Sequence, residues 1–293
     1  MTKNSPIPDD FCVFILSYKR HDNVKTYEAV MSHGYTGKVY IVCDNTDDTV
    51  DQYRKLYGDK VLVFDKHEWA AKTDDGDNTG KLNTVLYARN ACFELAIQVG
   101  CKYFIVFDDD YMAFRVRYNS KAKPVYGDES IKRKNLDDII MIMLDFYKQT
   151  PALSIAMAQG GDYIGGAAYT NVRLLRKVMN SFICSTERPF TFFSRMNDDV
   201  STYVVRSMRG ELFFTVFQVM LTQVQTQMNT GGLTDMYLNS GTYVKSFYTV
   251  MYAPSCSRVS VFGDHRSGNY RFHHKLNWNN IAPMILREEH KKS

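Results

Sequence analysis

Three consecutive carboxylates, Asp108, Asp109 and Asp110, close the apolar run Tyr103-Phe104-Ile105-Val106-Phe107. Acids this close repel one another unless a cation neutralises them. Carboxylate oxygens are hard ligands, suited to Mg2+ or Mn2+ rather than to a soft-metal site. Such an ion keeps waters and binds substrate phosphates as well. The motif therefore predicts a metal-bridged diphosphate, and with it a nucleotide-linked donor. Acid clusters also cap helices and line solvated turns, so the buried strand before this one matters to the reading.

A second acid pair lies in Met196-Asn197-Asp198-Asp199-Val200-Ser201. A carboxylate across a pocket from the diphosphate could take a proton from an acceptor hydroxyl. The same residues suit the start of a helix, and one acid can cap while the other faces the pocket. In the tail, one of His265, His273 and His274 could complete a metal's ligand set, while Arg266, Arg271 and Lys275 could grip phosphate.

Further polar residues stand at predicted strand ends. Ser17-Tyr18-Lys19-Arg20 follows the first strand and Asp44-Asn45 the second. Asp44 could accept from a uracil N–H or a ribose hydroxyl, and Arg20 could contact phosphate. Arg89, on the helix before the acid-bearing strand, could reach donor phosphates or hold the acids in place. The loop over residues 159–166 combines four glycines with Asp162 and Tyr163. Glycine permits close backbone approach, which suits the floor of a sugar or base pocket. No Gly-x-Gly-x-x-Gly follows the first strand and there is no Walker lysine loop. Both absences weigh against a dinucleotide oxidoreductase and a P-loop enzyme.

The elements that must position these residues alternate between strand and helix. Residues 11–17, 38–43, 60–64 and 103–107 read as strands, and 23–33, 46–57 and 81–99 as helices, with Gly100 placed to stop the last. The alternation predicts a parallel sheet with crossover helices. Ligands in such sheets bind beyond the carboxyl ends of the strands. Residues 65–80 read as a polar loop. Residues 115–134 form a polar segment with seven cations against two acids. Residues 136–147 read as a helix and 153–158 and 212–219 as strands.

At 293 residues the chain can bury a full core without staples. Its net charge of +4 excludes little. The six cysteines include no Cys-x-x-Cys pair, and the first residues are polar. No run reaches membrane-spanning length. These features predict a soluble, cytoplasmic protein with reduced thiols and no membrane partner.

Taken in order, the strand ending in Ser17–Arg20, the strand ending in Asp44, Asp108-Asp109-Asp110 and Asn197-Asp198-Asp199 resemble the motifs of the GT-A class of glycosyltransferases. The resemblance implies an α/β fold with a Rossmann-like, mostly parallel sheet flanked by helices and a mixed acceptor-side half. Residues 1–293 would form one domain, with 1–112 as the nucleotide-sugar half and 113–293 as the acceptor half. It implies donor contacts from Ser17, Arg20, Asp44, Arg89, Asp108 and Asp109. Asp108, Asp110 and His273 would be ligands of Mn2+ or Mg2+. Asp199, or failing that Asp198, would be the acceptor base of an inverting enzyme.

More narrowly, Phe107-Asp108-Asp109-Asp110-Tyr111 with Gly160-Gly161-Asp162-Tyr163 is similar to the phage glycosyltransferases associated with TET-type base modification. It also resembles the arabinosyltransferases that decorate hydroxymethylcytosine in T-even-like phage DNA. This implies transfer of a sugar, arabinose or glucose, from a UDP-sugar to a hydroxymethylated pyrimidine in DNA. Gly161, Asp162, Tyr163, Arg115 and Arg117 would then lie on the acceptor side. A base inside a duplex would have to be flipped to reach the donor. Competing readings are a protein or glycan acceptor, a nucleotidyltransferase using paired carboxylates and Mg2+, and a non-catalytic binding module. Two acid clusters at loop positions oppose the last for DNA, because phosphates repel them.

Overall fold

The structure, a computed structural model, describes residues 5–117, 131–132, 135–159, 181–223, 234–264 and 269–281. The first half runs β1 (Phe11–Leu16), α1 (Lys25–Ser32), β2 (Lys38–Asp44), α2 (Val50–Tyr57), β3 (Val61–Phe64), α3 (Lys66–Lys72), α4 (Leu86–Gln98) and β4 (Tyr103–Asp108). Its four strands are parallel in the order β3-β2-β1-β4, the order of a Rossmann half.

All six residues of β1 are buried, because helices cover both faces of the sheet. Side chains alternate between two cores. Val13, Ile15, Ile105 and Phe107 meet α1, α2 and the later helix α5 (Leu136–Lys148) on one face. Phe14, Phe104 and Val106 meet α4 and α6 (Asp198–Met208) on the other. Gly100, at φ +70°, ends α4 as its position predicts, with Cys101 N–H donating back to Ala96.

The second half comprises β5 (Tyr111–Val116), β6 (Ile131–Lys132), α5, β7 (Ser154–Gln159), β8 (Ser181–Ser185), α6, β9 (Phe213–Gln223), α7 (Thr234–Tyr252), β10 (Ser257–Asp264) and β11 (Asn269–Leu276). The nine-stranded sheet continues past β4 as β8-β7-β9-β5-β6. β8 is antiparallel to β4 and β7, while β7 and β9 are parallel. The expected α/β class, with a parallel first half and a mixed second half, is what the chain adopts. Only Asp109 and Asp110 separate β4 from β5, yet β8, β7 and β9 lie between those strands in the sheet. The acids thus stand where the chain leaves the parallel half.

Three elements differ from the sequence reading. The polar loop over residues 65–80 contains α3, whose N-cap Asp65 accepts from His67 N–H and Glu68 N–H. The segment expected to be irregular from 115 is entered by β5, which buries Ala113 and Phe114 in sheet pairing with β9. The tail holds an antiparallel ribbon, β10–β11, packed on α7. All six cysteines are buried and free. Among the described residues no helix is long and apolar enough to cross a membrane.

Candidate active site

The acid turn is clasped by the first turns of α1. Thr26, fully buried, donates its hydroxyl to Asp108 O (2.6 Å) and accepts from Tyr111 N–H (2.9 Å), while its own N–H donates to Asp109 O (3.1 Å). Asp109 points to the end of β1. Its Oδ2 accepts from Ser17 Oγ (2.8 Å) and its Oδ1 from Arg20 Nη1 (2.7 Å). Tyr53 OH, 2.7 Å from Ser17 Oγ, also accepts from Arg20 N–H. Burial pushes the Asp109 carboxyl up, against the pull of Arg20 and Ser17. Asp109, Ser17 and Arg20 therefore bind one another and lock the ends of β1 and β4 together.

Arg89, on α4 and 2% exposed, bridges the two acid clusters. Its Nη2 lies 3.3 Å from Asp108 Oδ1, and its Nη1 donates to Asp198 Oδ2. The sequence reading left two roles open for Arg89, and this contact is that of a residue holding acids in place. Asp198 and Asp199 occupy the first turn of α6, where the helix dipole favours negative charge. Burial nonetheless raises the carboxyls of Asp108 and Asp198, with Arg89 opposing and Asp199 adding to the rise. Asp199 accepts Val200 N–H at Oδ1 (2.8 Å), and no side chain among the described residues is hydrogen-bonded to its Oδ2.

The approach to α6 is strained. Ser194 and Asn197 both have positive φ, 81° and 54°, which non-glycine residues rarely adopt. Side chains hold this shape. Ser194 Oγ donates to Met196 O (2.6 Å), and Asn197 Nδ2 donates to Lys245 O (2.7 Å) and approaches His274 Nδ1 (3.4 Å). Between them Arg195, wholly buried, donates Nε to Asp77 Oδ2 (2.5 Å) and Nη2 to Asp75. Tyr248 OH also donates to Asp77. Burial opposes ionisation of Asp77, but Arg195, Tyr248 and Thr79 outweigh it and hold the carboxyl well below the usual range. The sequence reading missed this clasp. The density of acids in Asp74-Asp75-Gly76-Asp77 was its one local signal.

Asp110 is different from its neighbours. Its Oδ2 accepts from Gln223 Nε2 at the end of β9 (3.3 Å), and its Oδ1 is buried without a hydrogen-bond partner. Burial and the charge of Asp108 push the carboxyl up to about 6. A buried carboxylate oxygen without a donor suits a hard cation. Asp110, next to Asp108, therefore fits a divalent ion shared with phosphates. His273 does not join them, since no three His, Cys, Asp or Glu residues among those described converge as a metal site. It lies on β11, its ring 4.2 Å from that of His274. Among the described residues the expected triad of Asp108, Asp110 and His273 is not brought together, and the ribbon's contact near the acids is His274 with Asn197.

Asp44 is also committed. Its Oδ1 accepts from Thr46 N–H and Oγ1 (2.9 and 2.5 Å), and its Oδ2 from Lys66 Nζ (2.8 Å) in a buried ion pair. Lys66, which the sequence reading did not single out, lies 4.4 Å from the centre of the Tyr18 ring. Arg115 and Arg117 lie at the end of β5, and Arg117 is only 6% exposed. Gly161, Asp162, Tyr163 and His265 lie outside the described residues.

A Rossmann-ordered parallel half with acids beyond the ends of its strands defines an α/β protein whose ligands are expected at that edge of the sheet. The chain belongs to the TET-associated glycosyltransferase family, whose model matches residues 11–232. Among solved structures it is similar to a mannosyltransferase from Pyrobaculum calidifontis in complex with GDP-Man and Mn2+, with 11% identity and a TM-score of 0.48. The match covers 85% of this chain and 64% of that one, so this chain spans under two thirds of its relative's length. No curated protein is significantly similar to the chain.

Proposed function

We propose that this glycosyltransferase moves a sugar from a UDP-sugar to the hydroxymethyl group of a modified pyrimidine in DNA, on a GT-A fold. Residues 1–112 hold the donor and residues 113–293 the acceptor. The observation that carries the reading is that Arg89, through Asp108 and Asp198, ties together two acid clusters that each hold one uncommitted carboxylate. Among the described residues, Asp110 keeps a buried oxygen without a donor and Asp199 keeps an oxygen that no side chain takes. The first suits a cation on a diphosphate, and the second suits a base for a hydroxyl.

Asp110 and Asp108 would hold Mn2+ or Mg2+, which when bound neutralises charge on the departing diphosphate. Asp199 takes the acceptor hydroxyl proton as that oxygen attacks the anomeric carbon and the bond to UDP breaks. Arg89 opposes the rise that burial gives the Asp198 and Asp108 carboxyls and fixes both side chains on either side. Ser17 and Tyr53 fix the position of Asp109 and with it the turn that presents Asp110. The family assignment to TET-associated enzymes supports a modified base as acceptor.

The test is turnover with a panel of UDP-sugars against hydroxymethylated DNA, unmodified DNA and free nucleoside. Transfer to hydroxymethylated DNA alone is expected. Transfer to a protein or glycan acceptor, with none to DNA, would overturn the reading.

A further inference from the structure

The β10–β11 ribbon has two contrasting faces. Residues directly opposite in an antiparallel pair share a face, and faces alternate along each strand. Arg258 pairs with Lys275, Ser260 with His273 and Phe262 with Arg271, so Arg258, Arg271, His273 and Lys275 stand on one side. Arg258, Arg271 and Lys275 are exposed. Like charges directly opposite destabilise a ribbon, and Arg258 faces Lys275 with an acid, Asp264, only at the far end. Arg271 and Lys275 are four residues apart, about 13 Å along the strand. Exposed cations gathered on one face suit a polyanionic partner.

The other face carries His274, Phe272 and Tyr270 and packs on α7 only in part. His274 is buried against Asn197, Phe272 is 48% exposed with its ring 5.6 Å from that of Tyr243, and Tyr270 is 55% exposed. On α7, Tyr243 and Phe247 are stacked 6.2 Å apart and both exposed. Tyr243, Phe247, Phe272 and Tyr270 thus form an aromatic shelf open to solvent. Contiguous exposed apolar surface of this kind marks an interaction site. Cations take phosphates and aromatic rings take unstacked bases, and the ribbon with α7 offers one on each side. The ribbon is also tied to the candidate acceptor base, because His274 meets Asn197, which directly precedes Asp198 and Asp199.

We propose that the β10–β11 ribbon is the arm that holds duplex DNA for the reaction, a proposal that rests on the DNA-acceptor reading. The cationic face of Arg258, Arg271 and Lys275 contacts the phosphate backbone. The shelf of Tyr243, Phe247, Phe272 and Tyr270 covers the base planes exposed when the target base is flipped. A two-stranded ribbon is narrow enough to follow the major groove. The buried Arg117 is not part of this surface.

The test is fluorescence anisotropy with hydroxymethylated and unmodified duplexes from 50 to 200 mM salt, without donor. The triple variant R258Q/R271Q/K275Q is compared with wild type, and a thermal melt establishes that it folds. The single variant R271Q serves if the triple does not fold. Each lost phosphate contact lowers the salt slope by about 0.9. The triple variant is expected to lower it by roughly 2 to 3 and to weaken binding at least about tenfold. F247A/Y270A is expected to weaken binding with the slope unchanged, because no phosphate contact is lost. An unchanged slope in the charge variant, with wild type binding DNA, overturns the ribbon and leaves the DNA acceptor standing. No DNA binding by wild type at 50 mM salt overturns both.

Discussion

Arg89 donates to Asp198 across 109 residues of sequence, and both side chains are buried. The same guanidinium lies 3.3 Å from Asp108. One cation thus fixes the separation between the donor-side acids on β4 and the acceptor-side acids on α6. Arg89 offsets part of the cost of burying Asp108 and Asp198, which desolvation pushes toward the neutral form.

Arg89→Met keeps the volume and removes the charge. It leaves two acids uncompensated, which costs about 3–5 kcal/mol for a buried pair. Chemical denaturation should show that loss near pH 8 and a smaller one near pH 5, where the acids take up protons. Equal stability of wild type and variant at pH 8 would show that the bridge carries no weight.

Asp110 gives a separate pH signature. Its folded pKa, about 6, is raised above the usual carboxylate value. A raised pKa contributes stability that is complete below about 4, the unfolded value, and is lost as pH rises through about 6. The metal-free protein should therefore lose roughly 2–3 kcal/mol between those limits on this group's account. Asp110→Asn should flatten that part of the profile measured in EDTA. At pH 7.5, UDP should raise the melting temperature of wild type only with Mn2+ present, by mass action on the native state. The same shift in EDTA would remove the metal from the donor site.

Much of the fold was legible because it is written in local pattern. Residues 11–16 and 103–107 are unbroken apolar runs, and Gly100 marks a helix end. What each acid does was not legible. Asp108, Asp109 and Asp110 are identical in type and adjacent, yet one meets Arg89, one meets Ser17 and Arg20, and one keeps an unpartnered oxygen. That division depends on residues 19 to 92 positions away and on which side of the turn each side chain leaves. Asp44 misled for the same reason, because its partner Lys66 lies on a helix that the polar segment concealed. The ribbon was hidden by composition, since its strands carry His, Arg and Lys rather than a clean apolar alternation.

The Arg195 clasp predicts a structural effect that reaches the site. Arg195→Met strands Asp75 and Asp77 and frees the turn that presents Asp198. A stability loss of about 3–5 kcal/mol is expected. UDP affinity should change less than turnover, because the acids of the donor side are held by Thr26 and Ser17 instead. A loss of UDP binding that exceeds the loss of turnover would place the clasp on the donor side.

Asp199 carries the last prediction. Asp198 is committed to Arg89, whereas Asp199 accepts one backbone hydrogen bond at Oδ1. A general base needs a carboxylate oxygen within about 3 Å of the hydroxyl it deprotonates, and of the pair Asp199 is the one whose carboxylate no side chain among the described residues engages. Asp199→Asn should lower turnover by roughly 10²–10⁴-fold, the usual range for such a base. The amide keeps the size and the contact to Val200 N–H, so the fold and UDP affinity should hold. Asp198→Asn should behave differently, weakening the Arg89 bridge and lowering stability together with turnover. If Asp199→Asn spares turnover while the anomeric configuration of the product matches the donor's, the reaction proceeds by retention and needs no base at this position. Product configuration by NMR, measured beside the kinetics, separates the two mechanisms.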